Sequence, residues 1–244
     1  MTTSAGRLLC VGDIHGCLRE LGHLLDALAL TEADRLVFLG DYIDRGDASA
    51  QTVDLLLQVR RALPSAVFLR GNHEEMLLAF LGLGGRGGEI FVRAGGASTL
   101  MSYGVDPEAR GALDDELRRV LPDDHLAFFR DALELSHAEG PWAFVHAGVR
   151  AGKDLSEQHV DDLLWIREEF LSTDHGLPYT VIFGHTPQRD VHFSPMRRIA
   201  MDTGCVYGGR LSALDLTGGR LHQVKRDSSD VTVRDVAAEL AQVV

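Results

Sequence analysis

Five short apolar runs constrain this chain more than any other feature: Arg7–Val11, Arg35–Leu39, Ala66–Leu69, Trp142–Val145 and Thr180–Phe183. Each has the length and composition of a buried strand, and each leads at once to Asp, Asn or His beside a glycine. The junctions read LLCVGDIHG, VFLGDYIDRG, VFLRGNHE, AFVHAG and VIFGHT. Between several of them lie segments with helical spacing, such as Leu21, Leu24, Leu25 and Leu28, or Val53, Leu56 and Leu57. The alternation predicts strand-helix-strand units around a partly parallel sheet, an α/β architecture. Open sheets bind ligands beyond the carboxyl ends of their parallel strands, so the five loops are expected to meet in one crevice.

The remainder of the chain is less regular. From about Gly82 to Glu139 a glycine-rich stretch (LGLGGRGGE) precedes helical patterns near Phe91–Tyr103, Leu113–Leu121 and Leu126–Leu135, which predicts a helical insertion or cap. In the last third, Arg198–Met201, Leu211–Leu216 and Leu221–Val224 are separated by Gly208-Gly209 and Gly218-Gly219, expected as turns between antiparallel strands. Val233, Val236, Ala237 and Leu240 suggest a final helix within Val231–Val244. No repeat or polar linker divides the 244 residues, so one domain over 1–244 is expected.

Composition narrows the partners. A formal charge of −12 argues against a nucleic-acid polymer, whose phosphates are neutralised by Lys and Arg. A small anion remains admissible where metals and a few arginines reverse the sign locally. Cys10, Cys17 and Cys205 are odd in number and show no CxxC spacing, which speaks for packing roles in a reducing compartment rather than a disulfide framework. The N-terminus lacks a secretory pattern and no apolar stretch approaches the ~18 residues of a membrane span, so a cytoplasmic protein without membrane contact is expected.

A phosphoester hydrolase needs a water ionised near neutral pH, positive charge facing the phosphoryl oxygens and a proton for the leaving oxygen. Two divalent metals supply the first and much of the second, and carboxylate, carboxamide and imidazole are the ligands such ions prefer. The junctions carry that inventory in Asp13, His15, Asp41, Asn72, His146 and His185. Asp41, the lone acid ending its strand, is the natural carboxylate to bridge two ions. One Asp-x-His after a strand is more often an ordinary loop feature, and Asn-His in a turn is weaker still. Complementary ligands at five strand ends are hard to attribute to turn chemistry.

In this order GDIHG, GDYIDRG, GNHE, HAG and GHT resemble the phosphoprotein phosphatase branch of the calcineurin-like metallophosphoesterases, over Gly12 to about Leu214. The resemblance implies a central two-sheet β-sandwich flanked by helices, in place of one mostly parallel sheet. It implies two metals, manganese first, with iron, zinc, nickel, cobalt or magnesium as substitutes. Asp13 and His15 would hold one ion, Asn72, His146 and His185 the other, and Asp41 would bridge. It also implies His73 as general acid, oriented by Asp44, and Arg45 as a phosphate ligand. Arg167 in LLWIREEF, preferred over Arg150, would be a second. Asp202 is expected to fix a turn, Trp165 to pack beside Arg167, and Cys17 and Cys205 to pack near the motifs. The implied mechanism is direct in-line attack by water, with no phospho-enzyme.

Relatives of this kind act on phosphoproteins or on dinucleoside polyphosphates. The expected activity is phosphomonoester hydrolysis as a serine/threonine, or dual-specificity, protein phosphatase. The alternative is symmetrical cleavage of diadenosine tetraphosphate to ADP. A non-catalytic module that senses nucleotide or metal is the remote third reading, although it has no need of Asp44, His73 and Arg45 beside the six ligands. The partner is thus a phosphorylated protein or a small phosphoester or nucleotide. The oligomeric state is left open.

Overall fold

The computed structural model describes residues 6–244; Met1–Ala5, the start of the N-terminus read above, lie outside the described residues. Among the described residues eleven strands form two mixed sheets. The strands are β1 (Leu8–Val11), β2 (Arg35–Phe38), β3 (Val67–Phe68), β4 (Ser136–Glu139), β5 (Trp142–Val145), β6 (Thr180–Phe183), β7 (His192–Ser194), β8 (Arg198–Ala200), β9 (Arg210–Asp215), β10 (Arg220–Lys225) and β11 (Val231–Asp235). One sheet runs β11-β10-β9-β1-β2-β3 and the other β4-β5-β6-β8-β7. Each contains a parallel trio, β1, β2 and β3 in the first and β5, β6 and β8 in the second. The parallel units foreseen from the apolar runs therefore exist, divided between two sheets rather than gathered in one.

Side-chain alternation explains the layering, because successive strand residues face opposite ways. Leu8 and Cys10 of β1 join Trp142 and Phe144 of β5, Ile182 of β6 and Ile199 of β8 in the cluster between the sheets. Leu9 and Val11 face outward onto Leu21, Leu24 and Leu28 of α1 (Leu18–Leu28) and Val53 and Leu56 of α2 (Ser49–Ala62). On the far side Ala143, Val145, Val181 and Phe183 pack against Leu163 and Phe170. Strands buried on both faces read as continuous apolar runs, which is why these five were visible in the sequence.

After α3 (Asn72–Phe80) the segment expected to be helical holds a 3-10 turn at Gly88–Ile90, a π-helical turn at Val92–Gly96, α4 (Ala97–Ser102), α5 (Leu113–Val120) and α6 (Asp123–Ala127). The helical pattern at Leu126–Leu135 stops early: a π-helical turn ends at Ala132, Leu133 is extended, and β4 follows. Then come α7 (Val160–Trp165) and α8 (Glu168–Ser172).

Two further expectations are corrected. Gly218-Gly219 turns the β9-β10 hairpin, but Gly208-Gly209 leads from β8 in one sheet to β9 in the other, so it joins no antiparallel pair. The predicted final helix begins as an edge strand: Val231–Asp235 pairs antiparallel with β10, and only α9 (Ala237–Ala241) is helical. The continuous β-branched run Val231-Thr232-Val233 suits a strand, and the apolar spacing of the helix belongs to Val236, Leu240 and Val243, which close the inter-sheet core. Among the described residues no helix is long and apolar enough to cross a membrane.

Candidate active site

The carboxyl ends of β1, β2, β3, β5 and β6 converge, and the loops are tied within and across the sheets. His146 Nδ1 lies 2.8 Å from the Leu39 carbonyl, Gly184 N–H donates to the His146 carbonyl at 2.8 Å, and His185 N–H donates to Asp13 Oδ2 at 2.9 Å. Glu74, at the start of α3, accepts from the backbone N–H of Asp41 (2.9 Å), Tyr42 (2.8 Å) and Gly71 (2.9 Å). Its buried carboxylate thereby shapes the Asp41 loop, while burial, followed by the Asp41 charge, pushes its pKa up to about 7. Two glycines are required by close approach. A Cβ at Gly71 would collide with Asp41 Oδ1, and one at Gly184 with Asp13 Oδ1.

All six predicted ligands are buried and gathered at this point. Asp41 lies at the centre. Its Oδ2 is 3.4 Å from His15 Nε2 and its Oδ1 is 3.4 Å from His146 Nε2. Asn72 Oδ1 stands 3.0 Å from His146 Nε2 and 2.8 Å from His185 Nδ1. Asp13 Oδ1 is buried without a hydrogen-bond partner among the described residues. Two imidazoles have one nitrogen committed to a backbone carbonyl, His15 Nδ1 to Ile43 at 2.8 Å and His146 Nδ1 to Leu39. Burial lowers the pKa of both, His15 to about 3, so each is neutral and turns the lone pair of Nε2 inward. Lone pairs and carboxylate oxygens that face one another are reconciled by cations between them. The oxygen and nitrogen donors, with no thiolate among them, fit divalent metals. His15, Asp41 and His73 form one group of closely facing donor atoms, and Asp41, His146 and His185 another, and the two groups share the Asp41 carboxylate.

His73 and Asp44 form a buried pair beside them, Nδ1 to Oδ2 at 2.5 Å, with His73 Nε2 aimed at Asp41 Oδ2 from 4.0 Å. Burial alone would lower the His73 pKa, but the Asp41 charge and the Asp44 hydrogen bond carry it above the ordinary imidazole value. Arg45 donates to His15 Nε2 at one end of the cluster. Arg167 reaches His185 at the other, Nε to Nε2 at 3.0 Å and Nη2 to the backbone carbonyl at 3.3 Å. Arg150 is instead engaged by Asp162 at 2.6 Å and by Glu169. Asp202 accepts from Gly204 N–H at 2.9 Å, the turn-fixing bond expected of it. Cys17 and Cys205 are buried, and Trp165 is half-buried against the core with the Arg86 guanidinium 5.3 Å above its ring.

Sequence reasoning missed three supports. Glu74 was visible inside GNHE but had no assigned task. Thr99 of α4 donates to Asp44 Oδ1 at 2.6 Å and accepts from Asp44 N–H at 2.9 Å, and Ser49 Oγ accepts from the same N–H at 3.1 Å. Nothing in RAGGASTLMSYG signals Thr99, because its role exists only once α4 packs on the loop.

Residues 6–196 match the model of the calcineurin-like phosphoesterases. The chain belongs to that family. It is therefore a phosphoric ester hydrolase that depends on divalent metal ions, and the reading as a non-catalytic module falls away. Relatives include the bis(5'-nucleosyl)-tetraphosphatase PrpE [asymmetrical] of Bacillus thuringiensis, 26% identical over 223 residues that cover 84% of this chain and 88% of that one. The protein of the same name from Halalkalibacterium halodurans is 27% identical, covering 84% and 87%. Among solved structures, one provisionally named a diadenosine tetraphosphatase superposes with a TM-score of 0.68 at 25% identity, covering 93% of this chain and 96% of the other. A cold-active protein-tyrosine phosphatase of a Shewanella species gives 0.62 at 16% identity over 94% and 80%, a likeness of fold alone. The comparisons thus favour the dinucleotide alternative over the protein phosphatase preferred from the sequence.

Proposed function

We propose that this hydrolase cleaves the phosphoanhydride chain of a dinucleoside tetraphosphate off-centre, releasing a nucleoside monophosphate and a nucleoside triphosphate. The observation that carries the substrate is the near full-length match to relatives named asymmetrical tetraphosphatases. Off-centre cleavage replaces the symmetrical cleavage that the family resemblance offered as the alternative to a protein phosphatase.

Asp13 and His15 would hold one metal ion, Asn72, His146 and His185 the second, and Asp41 both, manganese being the first choice. Such ions supply the Lewis acidity that ionises water near neutral pH and offsets phosphoryl charge. Arg45 and Arg167, at opposite ends of the cluster, bind phosphoryl oxygens through guanidinium forks and orient the chain for in-line displacement. His73, its Nδ1 held by Asp44, delivers a proton from Nε2 to the departing oxygen. A departing phosphate is a weak base, so this proton matters less for an anhydride than for an alkyl ester.

The test is to supply manganese and diadenosine tetraphosphate, resolve the products by chromatography and run a phosphopeptide in parallel. AMP and ATP in equal amounts, at a specificity constant well above that for the phosphopeptide, are expected. Two ADP would overturn the regiochemistry, and faster turnover of the phosphopeptide would overturn the substrate class.

A further inference from the structure

Tyr207 is the one aromatic among the large exposed hydrophobic side chains of the described residues, at 63% exposure. Its ring lies beside the active site, with the Arg45 guanidinium carbon 5.5 Å from its centroid. Arg45 takes part of one face through a cation–π contact, and the rest of the ring is open to solvent.

The ring stands on a rigid base. Tyr207 N–H donates to the Gly204 carbonyl at 2.9 Å, Gly208 N–H to Cys205 at 3.0 Å and Gly209 N–H to Gly204 at 3.0 Å. Below it Asp202 fixes Gly204, Cys205 is buried, and Thr203 Oγ1 bonds the Arg210 carbonyl at 2.6 Å and Ser212 Oγ at 2.7 Å. A turn held this firmly presents the ring at a fixed place, so less freedom is lost when a flat partner stacks on it.

We propose that Tyr207 is the stacking platform for a nucleobase of the substrate. Arg45 holds a phosphoryl group, and the ring receives the base attached to the same end of the substrate through one ribose. This subsite rests on the dinucleotide reading above and adds the part of the site that recognises the nucleoside.

Calorimetric titration of the manganese-loaded protein with AMP and with ribose 5-phosphate isolates the base. Wild type should bind AMP about tenfold more tightly than ribose 5-phosphate. Tyr207→Phe should keep that ratio. Tyr207→Ala should bring it to about one while ribose 5-phosphate binds as before, which also shows that the variant is folded. A ratio that survives Tyr207→Ala, no base preference in wild type, or equal loss of both ligands in Tyr207→Ala would each overturn the subsite. Turnover of diadenosine tetraphosphate by wild type separates the two claims. No turnover with the ratio intact contradicts the reaction, whereas turnover with a ratio indifferent to Tyr207 contradicts the platform.

Discussion

His15, Asp41, Asp44, Arg45 and His185 are five of the eight described non-glycine residues with positive φ, at 48°, 51°, 72°, 70° and 63°. A side chain in that region costs about 1 kcal/mol or more, so the loops hold these groups against their local preference. The Glu74 hydrogen bonds and the inter-sheet ties hold the loops in place. The type of each residue was legible in the motifs, but the backbone strain was not, since it comes from surroundings assembled from distant segments. At this scale Gly184→Ala should push Asp13 out of place and lower manganese affinity about tenfold or more, measured by titration calorimetry, with the fold retained in circular dichroism. His73→Asn should lower turnover of an alkyl phosphate about 100-fold and of an aryl phosphate with a good leaving group much less. Equal losses on both esters would remove the proton-donor role.

At the scale of elements, α4 and the turn before it hold the Asp44–Arg45 loop and are not simply a cover. Thr99 grips Asp44, and the Gly95 carbonyl before it accepts from Arg45 N–H at 3.0 Å. Thr99→Val should therefore reduce kcat about tenfold, the worth of one hydrogen bond at the transition state, while Thr99→Ser restores most of it. A kcat unchanged in Thr99→Val would reduce the contact to packing. Asp34, at the entry to β2, ties that strand to β1. It accepts from Arg7 Nη2 at 2.7 Å and Arg7 N–H at 2.8 Å, and from Thr31 N–H at 2.9 Å. The Arg7 hydrogen bond, against the opposing effect of burial, holds the carboxyl well below the usual carboxylate range. A depressed folded pKa stabilises above the unfolded value and loses that effect as pH falls toward the folded one. Asp34→Ala should thus cost about 2 kcal/mol near neutrality in denaturant titration, with the gap from wild type closing in strong acid.

For the whole molecule, strands buried on both faces announced themselves as apolar runs, and so did the order of the loops they feed. The division into two sheets came only with the family resemblance of the loop motifs, because the apolar run of β5 reads the same in either sheet. The edge strands β4, β7 and β11 were missed for the opposite reason. They carry exposed or half-buried polar residues in short runs, and pairing with a neighbouring strand decides their conformation. The candidate site was legible because its chemistry needs particular side chains at strand ends. Its supports were not, since Thr99 and Ser49 act only through tertiary contact. One carboxylate, Asp41, is common to both groups of candidate ligands and is placed to join two metal positions. Manganese titration followed by electron paramagnetic resonance tests that bridging role most directly. Two ions per chain with the signature of a spin-coupled pair are expected, reduced to at most one uncoupled ion in Asp41→Asn. One ion in wild type, or a coupled pair surviving in Asp41→Asn, would contradict it.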